Sequence, residues 1–221
     1  MRVLTDDMRA DIEGIVGKYP NSRSAALPLL FLVQSVQGYV SEEGMKDVAD
    51  ILGLTSAQVL ATASFYTMLK KRPQGEYLIS VCRNISCTHL GARKVLAALE
   101  ERLGVLEGGT TDDGMFSLEA AECLATCDGA PSLQVNYEDF YRVGPDDAVG
   151  LVDKLAMGES LRSVRGQEVR TAKEIAREIA TAGMRTPEAG VEEARTIGGE
   201  SPRADTAPGS RPKVEGEGQD G

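Results

Sequence analysis

Cys82, Cys87, Cys123 and Cys127 are the only cysteines of this 221-residue chain. Four residues lie inside the first pair, three inside the second and thirty-five between the pairs. A short strand is predicted just before each pair, over Tyr77 to Val81 and over Met115 to Ala120. A loop that follows a strand end can aim two side chains at one spot while the core beneath keeps it still. Two such loops side by side would present four thiolates.

What four thiolates do depends on the compartment. The first residues, Met1 to Asp7, hold no basic stretch leading into an apolar run, so no secretory signal is expected and a cytoplasmic location is. Disulfides rarely persist there, and metal or redox chemistry comes first. The most apolar segment, Ala25 to Val40, is interrupted by Pro28, Gln34, Ser35 and Gln37. It is shorter than the roughly 20 apolar residues of a spanning helix, so no direct membrane insertion is expected. With 34 acidic against 24 basic residues the formal charge is -10, which speaks against nucleic-acid binding.

The spacing favours a binuclear iron-sulfur cluster, which takes two thiolates per iron. Two alternatives stay open. Structural zinc takes four thiolates but usually from C-x2-C knuckles, and a thioredoxin-type dithiol also wants C-x-x-C. A zinc-stabilised interaction module is therefore the rival of a different class. His89 is the only histidine, too few for a Rieske centre, and it reads as a polar residue opening the next helix. Backbone N–H groups of the two loops can donate to cluster sulfurs, and the Gly129-Ala130-Pro131 turn would help fix the second loop. No dinucleotide fingerprint, phosphate loop or nucleophilic triad is found, so no complete active site is expected on this chain.

Around the cysteines the pattern predicts an α+β protein. Residues 1–72 form an N-terminal helical domain of four helices, about Asp7 to Lys18, Ser24 to Gln37, one capped by Ser41, and one opened by the capping box of Thr55 with Gln58. The last would end near Leu69 and bury Val59, Ala63, Phe65, Tyr66 and Met68. Residues 73–158 form an α/β domain, with a helix from about Leu90 to Leu103, strands at Ser132 to Asn136 and Phe140 to Val143, and a helix at Asp146 to Met157. Residues 159–221 are a C-terminal extension expected to be largely disordered, with a transient or partner-induced helix near Thr171 to Ala182.

Beyond spacing, the sequence resembles the small 2Fe-2S subunit (the E subunit) of NADH-quinone oxidoreductase, respiratory complex I, over about residues 6 to 157. The resemblance is carried by Leu27-Pro28-Leu29-Leu30, Val33-Gln34, Gly38-Tyr39, Ala63-Ser64-Phe65-Tyr66, Val81-Cys82 through Cys87 with Gly91-Ala92, and Glu122-Cys123-Leu124 through Cys127 with Ala130-Pro131. It implies a thioredoxin-like ferredoxin domain with Cys82, Cys87, Cys123 and Cys127 as ligands of one 2Fe-2S cluster. It also implies electron exchange with the FMN of a partner subunit that binds FMN and NADH. Other peripheral-arm subunits would be further partners, and the assembled complex would hold the chain at the cytoplasmic face of the membrane. The module is similar, too, to small subunits of NAD-linked hydrogenases and formate dehydrogenases. The second loop reads Leu124-Ala125-Thr126 where relatives often carry a glycine and smaller residues.

Overall fold

The computed structural model describes residues 2–184. Four helices open the chain: α1 (Arg9–Gly17), α2 (Ala26–Gln37), α3 (Glu42–Leu52) and α4 (Ser56–Phe65). Their ends are set by local chemistry. Gly38 takes the left-handed conformation after α2 at φ 82°, the Ser41 hydroxyl accepts the Gly44 N–H at the start of α3, and Thr55 with Gln58 closes a reciprocal box on α4. Inside lie Leu29, Leu30, Leu32, Val33, Val48 and Val59, all fully buried. Asp47, itself buried on α3, accepts the N–H groups of Val3 and Leu4 at 2.6 and 3.0 Å and ties the first residues to this core.

The end of α4 differs from the expectation. Val59 and Ala63 are buried, but Phe65 is 78% exposed and Tyr66 and Met68 are also exposed. At 3.6 residues per turn Phe65 stands about 120° around the helix from Val59, off the buried stripe. Tyr66 then leaves the helix in an extended conformation, and beyond it only Leu69 turns inward. Gln34 fixes that exit, donating to the Met68 carbonyl and accepting from the Lys70 N–H.

The second core is built on a four-stranded sheet of β1 (Tyr77–Cys82), β2 (Phe116–Ala121), β3 (Leu133–Val135) and β4 (Glu138–Phe140), in the order β2-β1-β3-β4. β1 and β2 are parallel, while β3 and β4 join as an antiparallel hairpin. Parallel neighbours require a crossover, which contains the five-residue helix α5 (Ile85–His89) and the longer α6 (Ala92–Leu103). After β4, α7 (Pro145–Ala156) packs on α6. Ile79, Val81, Leu99, Leu118, Leu133 and Val152 fill the space between. Lys70 and Ser80 both reach Glu119, at 2.8 and 2.7 Å, joining the linker after α4 to the sheet.

The segment after α7, expected to be largely disordered from residue 159, is ordered through Met184. Leu161 and Val169 pack on the second core, and α8 (Ala172–Thr181) lies along α2 with Ile175, Ala176 and Ala180 buried. Three sparse apolar positions suffice because α2 offers them an apolar face already assembled. The expectation of disorder from residue 185 onward lies outside the described residues. Among the described residues no single helix is long and apolar enough to cross a membrane.

Candidate metal centre at the carboxyl end of the sheet

Both cysteine pairs sit where adjacent parallel strands end. Cys82 is the last residue of β1 and is in register with Ala121, the last of β2, two residues before Cys123. Cys87 follows in α5, whose first N–H is taken up by the side chain of Asn84. Cys127 opens a 3-10 turn over Cys127–Gly129. All four thiols are free of disulfides; Cys82 and Cys87 are buried, Cys123 and Cys127 exposed.

Several contacts lock the two loops together. The Arg83 N–H donates to the Ala121 carbonyl at 2.8 Å, and the Cys82 N–H to the Ser132 carbonyl at 3.2 Å. The Arg83 guanidinium pairs with Glu122, so the residue after one cysteine holds the residue before another. Hydrogen bonding and then charge keep the Glu122 carboxyl below the usual carboxylate range and push Arg83 up. In the buried layer Ser132 Oγ lies 3.6 Å from Cys87 Sγ and 2.6 Å from Thr126 Oγ1.

The second loop is shaped for close approach. Ala125 occupies the left-handed region at φ 58°, where glycine is the easier residue. That conformation directs the Ala125 N–H at Cys123 Sγ, 3.4 Å away. A Cβ on Gly129 would stand 2.2 Å from the Tyr141 ring, so only glycine lets the ring cover the turn.

Among the described residues no three His, Cys, Asp or Glu side chains gather as ligands of a single ion. A binuclear cluster asks for two thiolates per iron rather than three or four around one. Four free thiols at one end of the sheet, two on each loop, with a backbone N–H aimed at one sulfur, fit that donor set. His89 ends α5 and is exposed; it does not open the following helix, which starts after Gly91. Helix α5, the Arg83–Glu122 pair and the Ser132–Thr126 contact are not expected from the sequence alone. Opposite charges flanking Cys82 and Cys123 were the available signal for the ion pair.

Comparison with known proteins agrees with this architecture. The family model for the thioredoxin-like [2Fe-2S] ferredoxin matches residues 12–156. The NADH-quinone oxidoreductase E subunit of Mycobacterium tuberculosis (strain ATCC 25618 / H37Rv) is 42% identical over 183 residues, covering 83% of this chain and 73% of that protein. The corresponding E 2 subunit of Rhizobium meliloti (strain 1021) is 36% identical, covering 76% of this chain and 94% of its own length. Among solved structures, an NAD+-reducing [NiFe]-hydrogenase in the H2-reduced state aligns with a TM-score of 0.53 at 20% identity, over 60% of this chain and 22% of that one, a likeness of fold alone. By the family match and by these relatives, the chain belongs to the thioredoxin-like [2Fe-2S] ferredoxin family and is akin to the E subunits of NADH-quinone oxidoreductase.

Proposed function

We propose that this chain is an electron-transfer subunit of an NADH-quinone oxidoreductase, with Cys82, Cys87, Cys123 and Cys127 as the ligands of one 2Fe-2S cluster. The observation that carries the reading is the pair of cysteine loops leaving the carboxyl ends of adjacent parallel strands, in a chain of this family. When bound, the cluster supplies one-electron exchange at a site that moves no substrate atoms.

The protein's part is to hold, shield and expose. Cys82 and Cys87 keep their side of the centre away from water, the Ala125 N–H stabilises negative charge on Cys123, and the Arg83–Glu122 pair holds the two loops together. The exposed Cys123 and Cys127 mark the side where a redox partner approaches. That partner is a flavoprotein subunit carrying FMN and NADH, and the chain has no complete active site of its own. Its place is the peripheral arm, at the cytoplasmic face of the membrane through the assembled complex. A hydrogenase or formate dehydrogenase would use a similar module, but relatives 42% and 36% identical favour the quinone-linked assembly.

The test is an electron paramagnetic resonance spectrum of anaerobically purified protein before and after dithionite, with iron, sulfide and zinc measured on the same sample. The expected result is a signal in the reduced state with about two irons and two sulfides per chain. Stoichiometric zinc without a signal would make the chain a structural module instead.

A further inference from the structure

The hydroxyls behind Cys87 form a buried polar link between the two cysteine loops that the electron-transfer reading leaves unused. Ser132 is 2% exposed, Thr126 6% and Cys87 2%. Among the described residues, neither hydroxyl has a hydrogen-bond partner beyond this chain of three atoms. Their order is fixed by proton inventory, granted that Cys87 serves as a thiolate ligand. A thiolate has no hydrogen to give, so the Ser132 O–H donates to Cys87 Sγ, and the Ser132 oxygen accepts from Thr126.

We infer that Ser132, backed by Thr126, is a positioning pair that raises the reduction potential of the centre and holds the first cysteine loop to the second. This rests on the ligand assignment proposed above and adds to it. Reduction adds negative charge, part of which resides on the ligand sulfurs. A hydroxyl donating to Cys87 Sγ stabilises the reduced state more than the oxidised one. Thr126 polarises the Ser132 O–H and strengthens that donation. Because all three groups are buried, water cannot replace either hydroxyl without opening the core. Ser132 also accepts the Cys82 N–H on its main-chain carbonyl, so one residue holds both cysteines of the first pair.

The experiment is redox potentiometry followed by electron paramagnetic resonance on the full chain as purified with its cluster, with iron and sulfide counted in every sample. Ser132→Ala should keep two irons and two sulfides yet disfavour reduction by about tenfold, the scale of one hydrogen bond to a charged group, which is ~59 mV for a one-electron couple. Thr126→Val should shift the potential the same way by less, and Thr126→Ser, which keeps the hydroxyl, should restore it. A fully loaded Ser132→Ala protein with the wild-type potential overturns the inference. If Ser132→Ala fails to load, the Thr126 variants decide: a lower potential in Val than in Ser supports the pair, and equal potentials overturn it. A wild-type chain with no iron or sulfide would instead overturn the ligand assignment itself, a separate outcome.

Discussion

Arg83 and Glu122 pair across the gap between the ends of β1 and β2, each the immediate neighbour of a cysteine. Glu107 lies 4.0 Å from the same guanidinium. The pair is exposed, so it adds little to global stability and acts on the opening of the loops instead. Glu122→Ala should leave the melting temperature unchanged while speeding loss of iron to a chelator at low ionic strength. Salt should bring the wild-type rate up to that of the variant. Rates that ignore both salt and the substitution would show that the clasp does nothing.

The ligand assignment predicts a separable loss. Cys82→Ala or Cys127→Ala should abolish the stable binuclear signal while far-ultraviolet circular dichroism reports the N-terminal helices intact, because the first core contains no cysteine. A full signal in either variant removes that residue from the ligand set.

Gly129 makes a sharper prediction because its neighbour is known. A methyl group there meets the Tyr141 ring, and overpacking of this kind costs about 1–3 kcal/mol. Gly129→Ala should be destabilised to chemical denaturation and lose its cluster faster. Adding Tyr141→Ala should recover part of the loss, whereas strictly additive effects of the two changes would rule out the clash.

Tyr137 offers a test in alkali. Burial, with the charge of Glu119 adding to it, pushes its phenol up to about 12, against about 10 for an unfolded tyrosine. A raised folded value means that the neutral phenol favours the folded state. This contribution is complete below pH ~10 and lost as pH climbs toward 12. The stability of wild type relative to Tyr137→Phe should therefore fall across that window. A flat difference would place the phenol in water.

α8 should matter as core rather than as appendage. Ile175→Ala should cost about 2 kcal/mol in chemical denaturation, the low end for a buried aliphatic truncation. A cost near zero would mean that α8 does not stay docked on α2.

What the sequence disclosed follows the range of the interactions. The caps at Gly38, Ser41 and Thr55 were legible because each is decided within four residues, and the strands before the cysteines because period and composition change abruptly at Tyr77. Phe65, Tyr66 and Met68 read as core in the sequence because apolar character continues past the point where the helix ends. Burial of Ile175 was not legible, since the surface it meets belongs to α2, far away in sequence. Nor was the meeting of Thr126 with Ser132, two small polar residues whose identity carries no period. That each cysteine pair follows a strand was legible, but the pairing of those strands as parallel neighbours was not, and the left-handed backbone at Ala125 had no counterpart in the residue chosen there.

The return of α8 to α2 orders events during synthesis. The helices between Arg9 and Phe65 emerge from the ribosome before the sheet, yet their core includes Ala176 and Ala180 and cannot close until both cysteine loops have been made. That segment is thus completed only after the sheet has been made, and its apolar face on α2 stays open to chaperones or to aggregation until α8 docks. A chain that stalls or is clipped before residue 172 would be recognised as unfinished at its beginning.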